Sequence, residues 1–143
     1  MGNAYILVAE DDADDRFLLE TAFAEKSYAE ELVFVENGVE LMDFLRSLEQ
    51  TEKPKNRPLP GFILLDLNMP KKDGREVLKE IKEHEFFKKI PVIVFTTTKN
   101  ETEINRCYEL GANTYVVKPV GFDSLLQTID DIRTYWFKTA QIP

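Results

Sequence analysis

A chain of 143 residues with 43% hydrophobic side chains is one ordinary domain with enough apolar material for a real core. Its net charge of −8 argues against nucleic-acid binding, because phosphate backbones demand clustered Lys and Arg. The single cysteine, Cys107, excludes an internal disulfide framework and a Cys-rich metal site, and no apolar run approaches membrane-spanning length.

In chain order, Met1-Gly2-Asn3-Ala4 leads directly into the apolar run Tyr5 to Ala9, with no leader or myristoylation pattern ahead of it. A soluble, cytoplasmic protein without nucleic-acid or membrane partners is expected. Four more short apolar runs follow: Leu32 to Val35, Phe62 to Leu65, Val92 to Phe95 and Tyr115 to Val117. None alternates with polar residues, as expected for parallel strands covered by helices on both faces. Helical spacing fills the intervals. It is carried by Phe17, Leu18, Ala22 and Phe23; by Leu41, Met42, Leu45 and Leu48; by Val77, Leu78 and Ile81; and by Ile104, Cys107, Tyr108 and Leu110. The last stripe is the clearest, comprising Phe122, Leu125, Leu126, Ile129, Ile132 and Trp136. Asn100 with Glu103 forms a capping pair for the fourth helix, and Gly111 suits its end. Cys107 reads as a small core hydrophobe. His84, among Lys82, Glu83 and Glu85, reads as part of a solvated face. The stretch from Gln50 to Pro60 reads as an exposed basic loop. The alternation predicts a single doubly wound α/β domain over residues 1–143.

In such sheets ligands bind beyond the carboxyl ends of the strands. There the chain places Glu10, Asp11 and Asp12, then Asp66, then Thr96, and finally Lys118 before Pro119. Carboxylates gathered from two strand ends stay ionised together when a cation joins them, and a set of hard oxygens suits Mg2+. A phosphoryl group drawn to that cation would find Lys118 and Thr96 opposite, and Asp66 as a carboxylate able to accept it. Asp12 fits a helix cap and a metal ligand equally well, while Asp14 and Asp15 read as solvated first-turn acids.

This constellation resembles the receiver domain of two-component response regulators over nearly the whole chain. The resemblance implies the flavodoxin-like (βα)5 fold, with a five-stranded parallel sheet in the order 2-1-3-4-5. It implies Asp66 as phosphoacceptor, with Mg2+ held by Glu10, Asp11, Asp66 and the backbone carbonyl of Asn68. Lys118 would pair with the phosphoryl group, and Thr96 and Tyr115 would form a switch pair, Thr96 being drawn inward. For Tyr115, plain packing is the competing role. The Lys118–Pro119 bond is expected to be cis. Thr97, where many receivers have Ala or Gly, would narrow access for small phosphodonors.

Residues 66–78, the long loop before them and the tail from Tyr135 to Pro143 are similar to the phytochrome-associated single-domain response regulators. That likeness implies a sensor histidine kinase, phytochrome-like or otherwise, as phosphodonor. Tyr135, Trp136 and Phe137, on a C-terminal extension of the fifth helix, are interface candidates; folding back over their own domain is the alternative. The family's face of helix four, strand five and helix five offers a homodimer surface. No effector pattern follows the last helix, so output is expected through protein contacts or through phosphate passed onward in a relay.

Three other functions compete. A Mg2+-dependent phosphatase working through an aspartyl phosphate generally has an acid two residues beyond the nucleophile, where this chain has Asn68. A flavodoxin-like cofactor binder needs a hydroxyl- and glycine-rich phosphate loop after the first strand, where Glu10-Asp11-Asp12 would repel the phosphate. A degenerate receiver would signal without phosphate.

Overall fold

The structure, a computed structural model, describes residues 4–49 and 57–143. Most of the expected basic loop therefore lies outside the described residues, as does the start of the chain. The elements are β1 (Tyr5–Ala9), α1 (Ala13–Glu25), β2 (Glu31–Val35), α2 (Gly38–Ser47), β3 (Phe62–Leu65) and α3 (Gly74–Glu83). A 3-10 turn (Phe87–Lys89) precedes β4 (Val92–Thr96), α4 (Glu101–Glu109), β5 (Thr114–Val117) and α5 (Phe122–Thr134), which runs into a π-helical turn (Tyr135–Thr139). The strands are all parallel in the order β2-β1-β3-β4-β5, as the resemblance implied.

The three central strands are buried along their whole length, which is why their sequences run apolar without alternation. Two apolar clusters cover the two faces of the sheet. One joins Leu7, Ile63 and Val94 to Leu41, Leu45, Leu78 and Ile81 of α2 and α3, with Cys107 of α4. The other joins Ile6, Leu64 and Phe95 to Leu19, Phe23, Leu125 and Ile129 of α1 and α5.

The face of α1 differs from expectation. Leu19, Ala22 and Phe23 point inward, whereas Phe17 is 66% exposed and Leu18 39%. Three consecutive apolar residues at 17–19 allow several stripes, and packing against α5 selects the one through Leu19. In α4 only Cys107 is buried, and β5 is half-buried throughout, so this side of the sheet is the more open one.

His84, half-buried, does more than line a solvated face. Its Nδ1 accepts the backbone N–H groups of Phe86 and Phe87 at 3.0 and 3.1 Å, and its ring stacks on Phe87 at 3.9 Å. It thereby caps the 3-10 turn. Gly111 ends α4 as expected, and the Asn100 side chain caps its start by accepting from the Glu103 N–H.

Of the tail aromatics, Trp136 and Phe137 pack on the α1–α5 side of the core. Phe137 lies 5.2 Å from the Phe62 ring, in space left open by Gly61, where an added Cβ would stand 2.4 Å from the Phe137 ring. Tyr135 remains 52% exposed.

Candidate functional site

Each site residue is positioned by the hydrogen-bond ladder of the sheet. The N–H of Glu10 donates to the Val35 carbonyl at 3.0 Å, that of Asp66 to Ala9 at 3.1 Å, and that of Lys118 to Thr96 at 2.8 Å. All three stand one residue beyond their strands. The ladder therefore aims their side chains at a common point on the carboxyl edge of the sheet.

At that point Lys118 Nζ donates to Glu10 Oε1 at 2.5 Å, to Asp15 Oδ2 at 2.8 Å and to Asp66 Oδ2 at 3.2 Å. The Thr96 hydroxyl, fully buried, donates to Asp66 Oδ1 at 3.0 Å, and the Asn68 N–H reaches the same oxygen at 3.2 Å. Thr96 thus already points inward: a buried hydroxyl requires a partner, and the Asp66 carboxylate supplies one. The Tyr115 hydroxyl donates to the Thr98 carbonyl at 2.8 Å, tying β5 to the loop that follows Thr96. Burial raises the Tyr115 phenol above its ordinary value.

Glu10 and Asp66 are 3% and 8% exposed, while Asp11 is exposed. Burial is the largest influence on Glu10; with the nearby Asp66 charge it outweighs the Lys118 bond and pushes the carboxyl up to about 7. Burial opposes the charge of Lys118, but hydrogen bonds to Asp15 and Glu10 and the charges of Glu10 and Asp66 hold it above the usual lysine range. Glu10, Asp11 and Asp66 each offer an oxygen, and these oxygens lie within 4.8 Å of one another. An all-oxygen donor set with two desolvated carboxylates fits a hard divalent cation, and the ammonium of Lys118 is the cation in contact with it here.

Asp12 takes the structural of its two roles. Its side chain accepts the N–H groups of Asp14 and Asp15 at 2.8 and 3.0 Å, capping α1. Asp14 remains exposed, but Asp15 is not merely solvated, because it reaches Lys118. Its place in the first turn of the helix that directly follows Glu10 and Asp11 was the only signal for it in the sequence.

The Lys118–Pro119 bond corrects the other expectation, since no peptide bond among the described residues is cis. Trans is the intrinsically favoured form even before proline. In the trans form the ladder bond to Thr96 still holds Lys118 against the carboxylates. Beyond Pro119, Val120 is 94% exposed, and Thr97 is exposed beside the site. Together with Leu18, Phe95 and Leu125 these residues border a cleft of about 170 Å3 that opens onto Lys118.

Residues 6–130 match the response regulator receiver domain model. Response regulator Rcp1 of Synechocystis sp. is 39% identical over 96% of this chain and 92% of its own length. The crystal structure of the phosphorylated cyanobacterial phytochrome response regulator RcpA is 39% identical. It superposes with a TM-score of 0.88, covering 99% of both chains. The Mn2+-bound form of Rcp1, 38% identical, superposes at 0.84 over 98% of this chain and 99% of that one. With the acidic edge, the buried threonine and the lysine all meeting at Asp66, the chain belongs to the response regulator receiver domain family of two-component signalling.

Proposed function

We propose that this receiver accepts a phosphoryl group on Asp66 from a sensor histidine kinase of the phytochrome type and signals through phosphorylation-dependent protein contacts, homodimerisation included. Its chief support is that one buried carboxylate, Asp66, is touched by both Lys118 and Thr96 and stands within metal-sharing distance of Glu10 and Asp11. Glu10, Asp11 and Asp66, with the Asn68 backbone carbonyl, would hold Mg2+, which supplies charge neutralisation to a phosphoryl group. An Asp66 oxygen forms the new bond to phosphorus. The phosphorus–nitrogen bond of the donor histidine breaks, and the imidazole leaves with the electron pair. Lys118 faces the same carboxylate and takes up charge on the phosphoryl oxygens, and Thr96 adds a hydroxyl donor.

The phytochrome assignment rests on the likeness to RcpA and Rcp1. A protein donor suits the exposed apolar rim of Phe17, Leu18 and Val120. Output through α4, β5 and α5 suits the open side of the sheet, where Tyr115 ties β5 to the Thr96–Thr98 loop.

Intact mass after incubation with Mg2+ and acetyl phosphate tests the chemistry, with Asp66→Asn alongside. The expected result is one hydroxylamine-labile phosphoryl group on wild type, absent with EDTA and in the variant. A label that persists in Asp66→Asn would move the acceptor elsewhere. Size exclusion of the same samples reports dimerisation.

A further inference from the structure

Three carboxylates share the ammonium of Lys118, and only two of them, Glu10 and Asp66, belong to the oxygen cluster suited to a metal. The third, Asp15, comes from the first turn of α1 and lies closer to Nζ than Asp66 does, at 2.8 against 3.2 Å. An ammonium has three protons, so all of its donor capacity is committed. We infer that Asp15 is a positioning residue that competes with the phosphoryl group for Lys118, weakening the phosphorylated state and shortening its lifetime; this rests on Asp66 being the phosphoacceptor.

The sign follows from what else holds Lys118. Its N–H is fixed to Thr96 at 2.8 Å, its ammonium bonds Glu10 at 2.5 Å, and its side chain is only 11% exposed. Asp15 is thus redundant as an anchor. Its charge is not redundant. The Asp15 and Asp66 oxygens touch one nitrogen, so they stand no more than 6.0 Å apart. A phosphoryl dianion built on Asp66 meets that charge at short range, and no cation other than Lys118 contacts Asp15 among the described residues. Loss of the dianion occurs when water attacks phosphorus and the bond to the Asp66 oxygen breaks. Inorganic phosphate leaves, and the Asp66 carboxylate is restored. A phosphoryl group less well held by Lys118 is more open to that loss.

The test is titration of beryllofluoride into the Mg2+-loaded protein by calorimetry, supported by the decay of phosphorylated protein on intact mass. Wild type is compared with Asp15→Asn, Asp15→Ala, Asp15→Glu and Asp14→Asn. Asp14 removes the same charge from the same helix turn without touching Lys118. The expected result is beryllofluoride binding about five- to twentyfold tighter in Asp15→Asn and Asp15→Ala, the scale of one charged hydrogen bond discounted for partial exposure. Decay should slow in parallel, Asp15→Glu should return toward wild type, and Asp14→Asn should match wild type. Unchanged or weaker binding in both Asp15 variants overturns the competition while leaving the receiver chemistry standing. An equal gain in Asp14→Asn overturns it in favour of net charge. Failure of wild type to take up beryllofluoride overturns the receiver assignment together with it.

Discussion

Arg75 at the start of α3 and Glu103 at the start of α4 are joined from Nε to Oε1 at 2.5 Å, and the same guanidinium holds Asp73, the cap of α3, at 3.0 Å. The Glu103 side chain expected to cap its own helix instead spans to α3, the helix that follows the Asp66 loop. With one buried side chain, α4 has little apolar hold on the domain, and this pair restrains it. Glu103→Ala is expected to lower stability by about 0.5–1.5 kcal/mol in urea unfolding. Amide exchange should rise selectively in α4. Unchanged α4 exchange would show that the pair restrains nothing.

Gly74 is the most exacting position near the site. An added Cβ would stand 2.6 Å from the Asp66 carbonyl oxygen and 2.7 Å from Leu67 Cα, both backbone atoms that cannot swing aside. Gly74→Ala must displace the segment at Asp66 and Leu67 or the start of α3. A loss of about 1–3 kcal/mol is expected in thermal or urea unfolding. Phosphorylation by acetyl phosphate should also slow. A variant with wild-type stability and wild-type uptake would sink this account.

The tail aromatics divide by role. Phe137 covers Gly61 and Phe62, so Phe137→Ala should cost about 1.5–3 kcal/mol, less than a fully buried phenylalanine because the ring is only partly buried. Tyr135, mostly in solvent, should cost under about 0.5 kcal/mol when changed to Ala. If Tyr135→Ala alone alters the elution of phosphorylated protein, the exposed ring is the contact between copies. If Phe137→Ala is as stable as wild type, the fold-back contributes nothing.

Tyr28 provides a pH signature. Burial, then its 2.5 Å hydrogen bond to Asp130, pushes the phenol up to about 12, and the Arg133 guanidinium lies 4.1 Å above its ring. A phenol that holds its proton more tightly when folded stabilises fully below its unfolded value of 10.0, and the contribution is lost as pH rises from there toward 12. Wild type should therefore lose stability across that window faster than Tyr28→Phe, read by fluorescence-detected urea unfolding. Parallel curves would show that this phenol titrates alike in both states.

The site residues were readable because each follows a continuous apolar run, and the ladder carries its regularity one residue past the strand. Glu10, Asp66 and Lys118 inherit their aim from that regularity. Residues set by packing between helices were not readable. The choice of Leu19 over Leu18 in α1 depends on where α5 lies, and Asp15 is ordinary until β5 delivers Lys118 to it. His84 looked solvated because its partners, the N–H groups of the following turn, carry no side-chain signature. In the tail, the rings at 135 and 137 divide between solvent and core, as a helix carrying Trp136 inward requires.

The seat between Glu10 and Asp66 already contains a permanent positive charge, delivered from the end of the edge strand β5. Two buried carboxylates at one edge are therefore compensated by the chain itself, through a counter-charge that no dialysis can remove.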